Sequence, residues 1–147
     1  MQHTPPAPDI PEIQHEPGHL IRRAHQMAVA QFHAVHGRHI TPVQYAILRT
    51  LQRAPGIDQV TLAEKIALDT STTADIAVRL EEKGWIARAL LPRRQRHLSL
   101  TPAGETVLME LLPGADPIRQ QILAGLTEAE GTEFMRLLAK LVDSKTC

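Results

Sequence analysis

The 147-residue chain is poor in aromatic residues, has a single cysteine and contains no long apolar run. With one Trp, one Tyr and two Phe, its core must consist of Leu, Ile, Val and Ala, a composition that favours helices. The lone Cys147 excludes an intramolecular disulfide and predicts a reducing, cytoplasmic location. No apolar run approaches the roughly 18 residues of a membrane helix. The polar, proline-rich start lacks the features of a signal peptide, so no membrane partner is expected.

The chain also lacks net charge, because sixteen basic and sixteen acidic residues cancel. This balance excludes a generally polycationic surface. The distribution is uneven, however. The segment from Arg79 to His97 holds six basic and two acidic residues, whereas the segment from Glu105 onward holds seven acidic and four basic ones. A neutral total therefore hides one basic segment, as is typical of a local nucleic-acid-binding surface.

The length predicts one domain. Residues 1–17 hold five of the eleven prolines and are expected to form an arm rather than a helix. A helix is predicted from residue 18 to 36, ending at Gly37. Its apolar surface is broad, which indicates contact with both the core and a second subunit. Helices are also predicted over 102–112, over 118–126 and from Thr127 onward.

The middle of the chain has a different pattern. Thr41-Pro42 starts a helix, and two short helices follow at about 61–67 and 71–84. The strand-like segments IARALL and HLSLT flank the tip PRRQR and predict a β-hairpin. The fold class is therefore mainly α with a small hairpin wing. Residues 41–101 form a winged helix-turn-helix, which N- and C-terminal helices flank.

This arrangement predicts contact with double-stranded DNA. An α-helix fits the major groove, and side chains near the start of the second helix reach base edges. Here that start carries hydroxyl groups, which also contact phosphates, and a helix N-terminus favours phosphate. The wing tip supplies guanidinium groups. The predicted DNA-binding residues are Thr70, Ser71, Thr72, Thr73, Arg79, Arg93, Arg94 and Arg96.

The segment TLAEKIALDTSTTADIAVRLEEKGWIAR, followed by the arginine hairpin and LSLTPAG, resembles the MarR family of bacterial transcription regulators. The resemblance extends over about residues 18–145. It implies a homodimer with interleaved terminal helices, which assigns 18–40 and 102–147 to a dimerisation region. It further implies that the recognition helices enter successive major grooves of a palindromic operator and that the wings touch the minor grooves. It also implies a response to small aromatic acids or phenols, which bind between the dimerisation and DNA-binding parts and release the DNA.

Ser71, Thr72, Thr73 and Arg79 match the recognition-helix motif of the family, and Arg94 and Arg96 match the arginines of its wing. Two features depart from the pattern. The family's wing usually carries an Asp before an Arg, whereas PRRQR is shorter and has no acid, which leaves open which arginine enters the groove. Asp75 stands where many relatives are neutral or basic, and it either repels phosphate or pairs with Arg79 at i+4.

Seven of the eight histidines lie in the first 39 residues: His3, His15, His19, His25, His33, His36 and His39. His33 and His36 are one helical turn apart, but no Cys, Asp or Glu lies near them in the sequence, so no metal or other cofactor is predicted. Instead, we predict a ligand pocket that uses His19, Arg22 and Tyr45, because a guanidinium group and an apolar wall suit a small aromatic carboxylate. The alternative is that Arg22 and Arg23 form intersubunit salt bridges.

Enzymatic motifs such as a phosphate-binding Gly-rich loop, G-x-S-x-G or HExxH are absent from the sequence, so the chain is not expected to be an enzyme. The predicted function is that of a sequence-specific DNA-binding transcription regulator. We expect a homodimeric repressor relieved by a small aromatic acid or phenol. Two alternatives stay open: a metal-responsive regulator that uses the N-terminal histidines, and a winged-helix protein-interaction module.

Overall fold

The computed structural model describes residues 12–90 and 96–144, and within them helices pack around a small antiparallel sheet. The elements are α1 (Pro17–His36), α2 (Pro42–Arg53), β1 (Ile57–Asp58), α3 (Gln59–Lys65), α4 (Thr70–Glu82), β2 (Ile86–Leu90), β3 (Arg96–Leu100), α5 (Pro102–Leu111), α6 (Ala115–Ile122) and α7 (Glu128–Asp143). Single 3-10 turns lie at Ile13–His15 and Leu112–Gly114. The fold is mainly α with a small β wing, as the sequence predicts.

Threonine side chains fix the starts of three helices. The Thr41 hydroxyl accepts from the Gln44 backbone N–H at 3.1 Å, while the Gln44 side chain accepts from the Thr41 N–H at 3.1 Å. Thr127 and Glu130 form the same reciprocal arrangement at α7, and Thr101 caps α5. These bonds satisfy N–H groups that would otherwise lack a partner at a helix start. They confirm the predicted starts at Thr41-Pro42, Thr101-Pro102 and Thr127.

The core lies where α2, α3, α4 and the wing meet, and it is aliphatic as the composition requires. Its fully buried large residues include Ile40, Ile47, Leu48, Leu51, Leu62, Leu80, Ile86, Leu98 and Leu108. Close packing of these side chains ties one face of the second short helix, α4, to the rest of the molecule. The opposite face of α4 stays free.

The sheet has the strand order β1-β3-β2. In its register Arg88 pairs with Leu98, and position 90 pairs with Arg96. Paired residues of antiparallel strands share a face of the sheet. Arg88 and Arg96 therefore lie on the same face as the buried Leu98. The third strand, β1, was not predicted, because two residues are too short to show alternation.

Several helix boundaries differ from the predicted ones. The helices of the helix-turn-helix begin at Gln59 and Thr70, slightly earlier than expected, because Asp58 and Asp69 act as their N-caps. Helix α6 begins at Ala115 rather than at 118, because Pro117 lies in its first turn, where proline needs no N–H partner.

Helices α1 and α7 leave many large apolar side chains exposed within one chain. In α7 the only buried residue is Gly131. The exposed apolar residues of these two helices are Leu20, Ile21, Met27, Val35, Phe134, Met135, Leu137, Leu138, Leu141 and Val142. None of the helices described is both long and apolar enough to cross a membrane.

Candidate nucleic-acid interface

A carboxylate occupies the N-terminus of α4. Asp69 accepts hydrogen bonds from the Thr72 backbone N–H and from the Ser71 hydroxyl, both at 2.8 Å. These bonds, that of the Thr72 N–H first, lower the pKa of Asp69 to about 2. A negative charge of the chain itself therefore lies at this helix N-terminus, which disfavours a phosphate in the same place.

The buried side of α4 is formed by Thr73, Ala77 and Leu80, which recur at helical spacing. Thr73 is fully buried, and its hydroxyl donates to the Asp69 carbonyl oxygen at 2.8 Å. Its side chain therefore cannot reach a base edge, and the prediction that Thr73 binds DNA is wrong. Its place in the sequence, four residues before the core residue Ala77, was the signal for burial.

The other predicted residues of α4 are accessible. Thr70, Ser71, Thr72 and Arg79 are exposed. Thr72 and Arg79 are seven residues apart and so lie on the same side of the helix. The exposed side thus combines hydroxyl groups near the helix start with a guanidinium group two turns further on. This is the chemistry that base edges and phosphates accept.

Two further residues lie on this exposed side. Val78 is 36% exposed, and sequence reasoning missed it, although its offset from the buried positions places it outward. An exposed apolar side chain on a recognition helix suits contact with a thymine methyl group. Asp75 is also exposed, and within residues 12–90 and 96–144 no ion pair joins it to Arg79.

In the wing, Arg96 is the first residue of β3 and is exposed. The predicted contacts Arg93 and Arg94 lie outside the described residues. Two other bases of the positive segment have partners inside the chain. Arg88 forms a bidentate ion pair with Glu81. Lys83 donates to the His39 carbonyl oxygen at 2.9 Å and lies 4.5 Å from the Trp85 ring centroid.

Of the three predicted ligand residues, one chain brings together only His19 and Arg22. Arg22 Nη2 lies 3.2 Å from His19 Nδ1 at the start of α1. Tyr45 of α2 instead packs near the other end of α1, with its ring centroid 5.8 Å from that of Phe32. Arg22 and His36, the latter also stacked on Tyr45, are separated along the helix by about 20 Å, at the usual rise per residue.

The histidines near the end of α1 have partners within the chain. His33 Nδ1 lies 2.9 Å from the Gly37 carbonyl oxygen. His36 packs edge-on against Phe32, and burial, followed by the nearby charge of His39, lowers the pKa of His36. In the part of the chain that the structure describes, no three His, Cys, Asp or Glu side chains are grouped to hold a metal ion.

Comparison with known proteins adds independent findings. The model of the MarR family matches residues 40–98. Transcriptional regulator HosA of Escherichia coli is 33% identical over 107 residues, which cover 71% of this chain and 79% of HosA. PcaV, a transcriptional regulator from Streptomyces coelicolor solved with its natural ligand, is 31% identical, with a TM-score of 0.85 and coverage of 93% and 99% of the two chains.

BpsR of Bordetella bronchiseptica is 29% identical, again with a TM-score of 0.85, over 92% of this chain and 99% of BpsR. The DNA binding of BpsR is regulated by 6-hydroxynicotinic acid. The structural likeness thus extends beyond the residues that the family model matches, to the terminal helices.

Proposed function

The chain belongs to the MarR family of transcription regulators, and from this premise we propose that it is a homodimeric repressor whose release from a palindromic operator is triggered by a small aromatic acid or phenol. One observation carries the DNA-binding part of the proposal. Helix α4 is anchored in the core by one face and presents Thr72 and Arg79 on the other. An anchored helix with a free polar face is what reading of a major groove requires.

In the proposed complex, Ser71 and Thr72 contact base edges, and Arg79 binds the phosphate backbone beside them. The wing contributes Arg96, and from the sequence also Arg93 and Arg94, at the flanking minor groove. Phosphate contacts supply affinity, whereas base contacts supply specificity. Substitution of an arginine is therefore expected to weaken binding to every duplex. Substitution of a hydroxyl residue is expected to weaken binding to the operator in particular.

The proposed dimer is supported by the exposed apolar faces of α1 and α7. An apolar surface of this extent is unfavourable in water and marks an interface. A second copy of the chain would cover it with the same residues, as two-fold symmetry requires. The two recognition helices of such a dimer would lie about one DNA turn apart, roughly 34 Å.

The proposed effector site needs both chains. Arg22 and His19 offer hydrogen-bond donors for a carboxylate at one end of α1, whereas Tyr45 lies near the other end. Two-fold packing of α1 helices would bring Arg22 of one protomer toward the partner's Tyr45. A ligand bound between the protomers would favour the spacing at which it fits best. It would release DNA in proportion to its preference for that state.

Selection from a random duplex library tests this function. The protein is expected to enrich a palindrome with half-sites about one helical turn apart. Affinity for it should fall steeply with salt, and Arg96→Ala should reduce the salt slope by about one. Enrichment without a palindrome would contradict the dimeric reader. Binding of no duplex would favour a protein-interaction module, and release by zinc but by no aromatic acid would favour the metal-responsive alternative.

A further inference from the structure

An ion pair joins the recognition helix to the wing. Glu81 lies in the last turn of α4 and Arg88 in the middle of β2. Arg88 Nε donates to Glu81 Oε2 and Arg88 Nη2 donates to Glu81 Oε1, each at 3.1 Å. The Arg88 side chain is 14% exposed and that of Glu81 is 40% exposed. A planar, two-bond pair of this kind fixes orientation as well as distance.

The partly exposed Glu81 also faces a second arginine. Arg88 is paired with Leu98 in the sheet, so Arg96 lies on the same face and diagonally opposite Arg88. Diagonal neighbours are about 7–8 Å apart, within reach of long side chains. Consistent with this placement, the pKa of Glu81 is lowered mainly by its bond to Arg88, and the positive charge of Arg96 contributes to the same shift.

The wing supplies no acid of its own. Residues 86–100 contain four arginines and neither Asp nor Glu. A guanidinium group at the edge of a hairpin samples many rotamers unless a neighbouring group orients it, and ordering it costs conformational entropy on binding. In the described part of this chain the recognition helix provides the carboxylate that can do so.

We propose that Glu81 is a positioning residue for DNA binding: through Arg88 it holds the wing at a fixed angle to the recognition helix, and it orients Arg96 toward the DNA backbone. Glu81 itself does not bind DNA. The inference rests on the proposed function. The expected effect of removing Glu81 is opposite to that of charge alone, because loss of a negative charge near a phosphate-binding surface should strengthen DNA binding.

The test compares Glu81→Gln with Glu82→Gln, the adjacent exposed residue, which loses the same charge. Affinity for the selected duplex is measured at several salt concentrations. Glu82→Gln is expected to bind as tightly as the wild type or more tightly. Glu81→Gln is expected to bind at least about threefold more weakly, as is usual when contacting groups are uncoupled. Equal affinities of the two variants would overturn the proposal.

Adding Arg96→Ala to each background separates orientation of Arg96 from simple support of the fold. In the wild type and in Glu82→Gln, Arg96→Ala should lower the salt slope by about one. In Glu81→Gln it should lower the slope clearly less, because Arg96 is no longer held in place. The same reduction in all backgrounds would contradict a role for Glu81 in orienting Arg96.

Two controls separate a loss of DNA binding from a loss of folding. Thermal unfolding establishes that each variant is folded. If Glu81→Gln is not, Glu81→Asp against Glu82→Asp repeats the comparison with the charge retained but withdrawn by one methylene. A wild-type protein that binds no duplex would overturn the proposed function and this inference together. A wild type that binds while the position-81 variant matches its control would overturn this inference alone.

Discussion

The carbonyl oxygen of Trp85 lies against the α-carbon of Gly104, so closely that a Cβ at position 104 would be 1.9 Å from it. The same carbonyl accepts from the Thr101 N–H at 3.0 Å, and the Thr101 hydroxyl donates to the Gly84 carbonyl oxygen. The start of α5 is thereby fixed to the end of the helix-turn-helix.

Gly104→Ala should therefore destabilise the protein by about 2 kcal/mol or more, the usual cost of overpacking against an unyielding group, because the neighbour is backbone. Gly18→Ala is the matched control, since a Cβ there meets nothing within 4 Å and alanine favours the helix. Urea unfolding of both variants measures the difference. Equal stabilities would show that α5 can shift without cost.

The N-cap of the recognition helix should make stability depend on acid pH. The pKa of Asp69 is lowered from 3.8 to about 2 in the folded chain. The stabilisation is therefore complete above the unfolded pKa and is lost as the pH falls from about 4 to about 2. Thermal midpoints of the wild type and Asp69→Asn are compared at pH 6, 4, 3 and 2. The wild type should lose its advantage over this range, and a constant difference would contradict the role of the charge.

Neighbouring threonines of α4 should separate DNA binding from folding. Thr73→Val removes a buried hydroxyl bonded to the Asp69 carbonyl and should cost about 1 kcal/mol of stability while leaving operator affinity unchanged. Thr72→Val removes an exposed hydroxyl and should weaken operator binding by about 1–3 kcal/mol with little change in stability. Denaturation curves and DNA-binding isotherms are measured for both variants. Weaker operator binding by Thr73→Val, with unchanged binding by Thr72→Val, would contradict the prediction.

An acidic residue in the exposed apolar face of α7 should prevent dimerisation. Leu141 is 57% exposed in the single chain, so Leu141→Glu would cost little in a monomer but would bury a charge in the proposed interface. Sedimentation equilibrium is expected to show monomers for this variant and dimers for Lys140→Glu, its exposed neighbour. A dimer that tolerates Leu141→Glu would place the interface elsewhere.

The residues that sequence reasoning placed correctly are those whose effect is local. Thr41 with Pro42, and Thr101 with Pro102, define helix starts by bonds within one turn. The hydroxyl groups at 70–73 do not form one surface, because successive residues of a helix point about 100° apart. Thr73 consequently turns into the core with Ala77. The four-residue spacing from Thr73 to Ala77 indicates that Thr73 is buried, whereas the composition of the hydroxyl run alone does not.

The rest depends on register and could not be predicted. The Glu81–Arg88 pair joins α4 to β2, and it depends on the turn between them and on the face of β2 that carries Arg88. The positive φ of Ala67, 55°, likewise has no sequence signal, since alanine does not favour that conformation. The grouping of His19, Arg22 and Tyr45 assumed proximity that a single chain does not provide.

That separation leads to a prediction about how the effector site is assembled. We expect Arg22→Ala and Tyr45→Phe homodimers each to stay on the operator in the presence of an aromatic acid chosen from a panel because it releases the wild type. If each site takes Arg22 from one protomer and the partner's Tyr45, a heterodimer of the two variants has one intact site and one doubly altered site. Differently tagged chains, co-expressed and purified as heterodimers, should therefore recover part of the response.

A site formed within one chain gives a different result. If Arg22 and Tyr45 acted within one chain, each protomer of the heterodimer would carry one altered site, and no release would be recovered. Isothermal titration gives a second readout that does not depend on DNA: about one ligand per heterodimer in the first case and none in the second. Tyr45 packs against Phe32 and His36, and Arg22 lies about 15–20 Å from these two residues along α1. One small aromatic acid is too short to span that separation, so we expect the first result.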